Sequence, residues 1–163
     1  MYQYILEIMT TFPQESKIIV TQYEEIEYCA SQYGFEAIMN REPELGISHS
    51  IQLGLKAVLE RKPNLEGVMF GVCDQPYLRR TSIDRLLQAF SVTDRNIVAL
   101  AWQETIGNPC IFGKKYFEEL FSLSLDTGGK KILLRHPEDV EFVMVQEAKE
   151  LIDIDTRTTN DNE

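Results

Sequence analysis

The sequence predicts an α/β domain with a mostly parallel sheet, on three observations. Short β-branched or apolar runs alternate with stretches of helical periodicity, the pattern of helices covering a sheet. The connections between them are short, as in strand-helix-strand units. One run, residues 67–73, is apolar throughout and stops at Asp74 and Pro76, reading as a strand buried on both faces with a carboxylate at its carboxyl end.

Taken in order, Tyr2, Ile5, Leu6, Met9 and Phe12 recur at helical spacing, so an amphipathic helix opens the chain and Pro13 closes it. Residues 17–21 form a β-branched strand, 24–33 a helix broken by Gly34, and 35–39 a second strand. A polar loop over 40–50 precedes a helix at 51–60 that turns Leu53, Ala57 and Val58 inward. After the strand at 67–73, Thr81 or Ser82 is placed to cap a helix striped by Ile83, Leu86, Leu87 and Phe90. A strand follows at 97–102, then a turn at Gly107, Asn108 and Pro109 and a short strand at Cys110, Ile111 and Phe112. Tyr116, Phe117, Leu120 and Phe121 mark a helix, 126–129 a glycine-bearing loop, 131–135 a short helix and 140–145 the last strand. One domain is expected over residues 1–157, with 158–163 a disordered tail.

Composition narrows the function. The 163 residues are 44% apolar, enough for one core, and 16 Lys plus Arg stand against 26 Asp plus Glu for a formal charge of -10. Such a surface repels a nucleic-acid backbone, whereas a local basic group or helix start can still take an anionic small molecule. Cys29, Cys73 and Cys110 are odd in number and unpaired in spacing, as in reduced cysteines of a cytoplasmic protein. His49 and His136 are too few for a histidine zinc site, and no run is long enough to span a membrane.

Four segments hold residues suited to chemistry. Asp74 lies where open α/β sheets place their ligand crevice, able to meet a metal or phosphate, though an acid before Pro76 also suits a plain turn. Gly46, Ile47, Ser48, His49 and Ser50 precede a helix, where a serine can cap and the glycine lets backbone approach a base or phosphate. Asn108, between Gly107 and Pro109, offers an amide that both donates and accepts. Asp126, Thr127, Gly128 and Gly129 precede Lys130 and Lys131, either an anion cradle or a solvated loop. Asp153 and Asp155 flank Ile154, so both carboxylates point one way if the segment is extended, and with Asp74 they could share a magnesium ion; a solvated acidic tail is the alternative.

In order and spacing these segments resemble the molybdenum cofactor cytidylyltransferases, within the nucleotide-diphospho-sugar transferase superfamily. The matched stretches are Gly46 to Ser50, then Asp74, Gln75 and Pro76, then Gly107, Asn108 and Pro109, then the loop from Asp126 to Gly129, and finally Asp153, Ile154, Asp155 and Thr156. The resemblance implies a three-layer α/β/α Rossmann-like sandwich and transfer of CMP from CTP to molybdopterin, with release of pyrophosphate. It implies Asp74 as catalytic magnesium ligand with Asp155 and Asp153, and Gly46, Ile47 and Ser48 along the nucleotide. Gln75, Pro76, Gly107, Asn108, Asp126, Gly128 and Gly129 would face the molybdopterin-type substrate. A molybdenum hydroxylase is the implied partner, and a binding paralogue without catalysis is the alternative. The family's first strand and its Leu-Ala-Ala-Gly-x-Ser-x-Arg-Met-Gly loop have no counterpart in these residues, and Leu125 replaces a glycine, Lys130 an arginine and Arg157 a proline. Without that strand the sheet is expected to hold open edges, which favour homo-oligomers.

Overall fold

The computed structural model describes residues 2–13 and 16–154. The predicted tail at 158–163 and the candidate ligand Asp155 lie outside them. The chain runs α1 (Tyr2–Thr10), β1 (Ile18–Thr21), α2 (Glu24–Gln32), β2 (Glu36–Met39), α3 (Ile47–Arg61), β3 (Gly67–Phe70) and α4 (Arg80–Val92). It continues with β4 (Ile97–Trp102), β5 (Thr105–Gly113), α5 (Phe117–Phe121), α6 (Lys130–Arg135) and β6 (Val140–Met144), and ends in a 3-10 turn at Ala148–Leu151.

Helices cover both faces of the sheet, giving the three-layer α/β fold. On one face Leu55 and Val58 of α3, Phe117 and Leu120 of α5 and Ile132 and Leu133 of α6 bury Ile97, Ala99 and Phe112. On the other, Ile5 of α1 and Ile83 and Leu86 of α4 bury Val98, Leu100 and Ile111. The alternation of β4 between two apolar layers explains its composition: Ile97, Val98, Ala99 and Leu100 are all 0% exposed. A third cluster sets Leu6 of α1 and Ala30 of α2 on Ile19 of β1.

The sheet is mixed rather than mostly parallel. β1 pairs β2 and β4 pairs β6 in parallel, but β5 runs antiparallel to both β3 and β4. The reversal comes from a tight hairpin between β4 and β5, in which Gln103 takes φ 52. Gly107, Asn108 and Pro109 therefore lie within β5 and not in the expected turn. The ladder slips there, with Ala99 opposite Cys110 but Leu100 opposite Gly107, so Asn108 and Pro109 form a bulge without partners in that ladder. The Asn108-Pro109 bond is cis. Among the described residues the strands form two separate ladders, β1-β2 and β3-β5-β4-β6, and no described strand pairs the outer edges of β1 and β3. Among the described residues no helix is long and apolar enough to cross a membrane.

Candidate functional site

β3 ends at Phe70, and residues 71–79 turn outward from its carboxyl end into α4. Asp74 is half-buried, with its Oδ1 shut off from solvent. Its carbonyl oxygen accepts a hydrogen bond from Ile154 N at 2.9 Å, which lays the segment carrying Asp153 alongside it. Asp153 is exposed. Gln75 is buried, 1% exposed, and its Oε1 accepts no hydrogen bond among the described residues, so this side chain faces the interior. Pro76 follows in a turn closed by Leu78 N on Gln75 O at 3.4 Å, and buried Leu78 anchors the loop. Burial and the neighbouring Asp74 push the Cys73 thiol up.

The partner that brings Asp153 to Asp74 is Glu150, which sequence reasoning missed. Its side chain is 0% exposed. Oε2 accepts from Ser82 Oγ at 2.5 Å and Arg79 N at 3.3 Å, while Oε1 accepts from Gln146 N at 3.2 Å. The first turn of α4 has no side-chain cap of its own, so Glu150 supplies one from the far end of the chain. Thr81 or Ser82 was expected to cap; neither does, and Ser82 instead donates to Glu150. Arg79 adds an ion pair with Glu147, fastening the 3-10 turn to α4.

Gly107 sits under that same turn: a Cβ on it would stand 2.7 Å from Leu151 Cδ2. Pro109 lies 3.7 Å from where a Cβ on Gly71 would be. The bulge at Gly107, Asn108 and Pro109 thus joins the loop after β3 to the segment before Asp153.

A second group of residues assembles at the start of α3. Gly46 has φ 82 and ψ -177, and a Cβ there would come 2.5 Å from Leu125 O and 2.7 Å from Asp126 Oδ1. Ser48 N donates to Leu125 O at 3.1 Å. Gly46, Ile47 and Ser48 therefore form one unit with the loop at 125–129. Neither serine caps the helix: Ser48 is buried, and Ser50 Oγ accepts from Asn40 Nδ2 at 3.1 Å. Helix α3 starts at Ile47, four residues earlier than the pattern predicted, because the loop carbonyl of Leu125 takes the amide a side-chain cap would have taken. Leu125 adopts φ 56, the left-handed region that a glycine would occupy without strain. Gly129 packs on Phe112, whose ring would lie 2.8 Å from a Cβ, whereas Gly128 has nothing within 4 Å. A cavity of about 470 Å³ opens at the carboxyl ends of β1 and β2, lined by Gln22, Glu24, Asn40 and Arg41 among others. Among the described residues no group of three His, Cys, Asp or Glu gathers as a metal cage.

A three-layer α/β fold with an acid beyond a strand that is half-buried rather than covered on both faces as expected, and glycine-bearing loops at helix starts, defines a nucleotidyltransferase-like domain. The chain belongs to the MobA-like NTP transferase domain family, whose model matches residues 1–140. No curated protein matches it by sequence. Among solved structures it is similar in fold to Rv0371C of Mycobacterium tuberculosis H37Rv in complex with manganese, at 18% identity and TM-score 0.73, over 88% of this chain and 74% of that one. A nucleotidyl transferase from Methanothermobacter thermautotroptrophicus is 18% identical with TM-score 0.72, over 94% and 73%. The molybdopterin-guanine dinucleotide biosynthesis protein A of Archaeoglobus fulgidus is 15% identical with TM-score 0.65, over 95% and 78%.

Proposed function

We propose that this chain binds CTP, or another nucleotide, with Mg2+ and a molybdopterin-type substrate, at a site whose reaction is CMP transfer. A terminal phosphate oxygen of the molybdopterin attacks the α-phosphorus of CTP, the bond from that phosphorus to the bridging oxygen breaks, and pyrophosphate leaves. The observation that carries this reading is the hydrogen bond from Ile154 N to Asp74 O, which unites the two acidic segments on which such a site depends.

The donor set suits magnesium, which takes one or two carboxylates plus nucleotide phosphates rather than an all-protein cage. Asp74 would hold it, with Asp155 and Asp153 from the neighbouring segment. A divalent ion held there would supply charge neutralisation for the phosphates. The manganese complex of a protein of this fold supports a divalent metal. Gly46, Ile47 and Ser48 would lie along the nucleotide, with Gly46 allowing backbone to approach closely. Pro76, Gly107, Asn108, Asp126, Gly128 and Gly129 would face the acceptor, whereas the Gln75 side chain is buried. A molybdenum hydroxylase is the recipient such a product would serve.

Titration calorimetry tests the reading. CTP binding that requires Mg2+ and weakens at least about tenfold, about 1.4 kcal/mol, in Asp74→Ala is the expected result, and a GTP titration identifies the base. CTP affinity unchanged by Mg2+ and by Asp74→Ala contradicts it. A second reading is a paralogue that binds without transfer. Binding with no pyrophosphate release selects that reading.

A further inference from the structure

Two segments beside Asp74 are joined to each other at both ends. The loop that leaves β3 passes Asp74 and ends at Arg79, where α4 begins, and the segment that leaves β6 runs from Gln146 to Ile154. At one end Arg79 joins them by backbone and side chain together. Its amide donates to Glu150 Oε2 at 3.3 Å, and its guanidinium donates to Gln146 Oε1 at 3.0 Å and pairs with Glu147. At the other end Ile154 N donates to Asp74 O at 2.9 Å. Between these links each arm is braced along its own length. Leu78 N donates to Gln75 O at 3.4 Å in the first, and Glu150 N to Glu147 O at 3.1 Å and Ile152 N to Lys149 O at 3.2 Å in the second. Leu78 and Leu151, one from each arm, belong to the same apolar cluster, and the Tyr4 hydroxyl of α1 donates to Leu78 O at 2.8 Å. The two arms therefore close a ring with few free joints between Arg79 and Asp74.

The bonds that close the Arg79 end differ in kind. Glu150 is wholly buried and caps α4, so its loss is a loss of fold. The Arg79–Glu147 pair is half-exposed, its side chains 38% and 43% accessible, and such a pair adds little to global stability. Its geometry is nonetheless specific. One planar guanidinium reaches Gln146 and Glu147 and stands 4.0 Å from Glu150 Oε1, so three groups around the 3-10 turn are referred to a single fork. Lys149 adds a second cation on Glu147 at 2.8 Å. A carboxylate at Glu150 anchors the turn at one point; the fork on Gln146 and Glu147 also fixes its rotation.

We propose that Arg79 is a positioning residue, which through Glu147 and Gln146 fixes the register in which the segment carrying Asp153 lies against Asp74. This rests on the reading of Asp74 and that segment as a metal and nucleotide site, and adds that a surface ion pair away from the metal sets the site's geometry. Turning the 3-10 turn about Glu150 carries Leu151 and Ile154 with it, because the bonds from Glu150 N and Ile152 N make the turn a single unit. The first contact to slacken is then the one between Ile154 and Asp74, while β4, paired on both sides, is untouched.

Amide hydrogen exchange on the 163-residue chain, paired with calorimetry of CTP and Mg2+, tests the assignment. In Glu147→Gln and in Arg79→Gln the Ile154 amide exchanges at least about tenfold faster than in the parent chain, while Val98 and Leu100 of β4 change less than about threefold. Arg79→Lys, which keeps the charge without the fork, recovers part of the protection. The double variant Arg79→Gln/Glu147→Gln is no faster at Ile154 than Arg79→Gln alone, as expected of two groups acting through one pair. CTP affinity in the presence of Mg2+ falls at least about threefold in Glu147→Gln. Ile154 rates unchanged in both single variants overturn the proposal, as does an equal speeding of Ile154 and β4, which marks a structural role only. So does faster Ile154 exchange with CTP affinity unaltered. A parent chain that takes up no CTP with Mg2+ sinks the metal-site reading instead, and the Ile154 rates then still decide whether Arg79 sets the register.

Discussion

Replacing Gly46 with alanine isolates the contact that joins the start of α3 to the 125–129 loop. At φ 82 and ψ -177 an L side chain is strained by about 1–3 kcal/mol. The added Cβ also falls 2.5 Å from Leu125 O and 2.7 Å from Asp126 Oδ1, so the loop must shift, which costs about 1–3 kcal/mol more. Together these put Gly46→Ala at about 3 kcal/mol or more of lost stability. Two other glycines separate the contributions. Gly34 has φ 74 but nothing within 4 Å, so Gly34→Ala carries only the dihedral strain, about 1 kcal/mol. Gly128 has neither constraint, and Gly128→Ala stays within about 0.5 kcal/mol. In urea unfolding followed by circular dichroism, a slope of about 2 kcal/mol/M turns these into midpoint shifts of about 1.5 M, about 0.5 M and under about 0.3 M. Equal midpoints for Gly46→Ala and Gly34→Ala refute the argument that Leu125 and Asp126 press on Gly46.

Leu125→Gly has the opposite sign: with φ 56 and a side chain 69% exposed, the leucine loses little packing and the backbone gains about 0.5–1 kcal/mol, read as a higher urea midpoint. Glu150→Ala strips the acceptor from Ser82 Oγ, Arg79 N and Gln146 N, so a loss of about 2–4 kcal/mol is expected in the same assay, together with weaker CTP binding as Ile154 slackens. Asp139 contributes a pH dependence. Burial pushes its carboxyl up, but the Lys115 ammonium, the Tyr116 hydroxyl and Asn96 outweigh that and hold it well below the usual carboxylate range. A folded value below the unfolded one means stability that is complete above about pH 4 and lost as pH falls toward the folded value. Asp139→Asn therefore lowers Tm at neutral pH, and its deficit against the parent chain narrows below about pH 4; a constant deficit speaks against the ionised Asp139.

Most of the element order was legible because burial on this fold follows local period: β4 is apolar throughout since both faces are covered, and α4 shows its stripe since one face is. The residues that escaped are those whose conformation is set by distant partners. Gly107, Asn108 and Pro109 read as a turn by composition, yet β4 holds them in a bulged strand with its own hairpin earlier, at Gln103. The start of α3 was misplaced because its amide is satisfied by Leu125 O rather than by a serine beside it. In the candidate site, Asp74 stands out in the sequence by its place after an apolar run. Glu150, between Lys149 and Leu151 in a polar stretch, gave no local signal of being wholly buried, since its donors lie on α4. The direction of β5 was equally hidden, because a strand's apolar pattern is the same whichever way it runs.

The central claim is that Asp74 and the segment at 153–155 form a divalent-metal site completed by a nucleotide. Paramagnetic broadening by Mn2+ of the assigned backbone amide spectrum tests it most directly. With CTP present, substoichiometric Mn2+ should broaden the amides of Asp74, Asp153 and Ile154 before all others, and Asp74→Ala should abolish the effect. Broadening spread over the acidic surface, unchanged by CTP or by Asp74→Ala, would contradict the account.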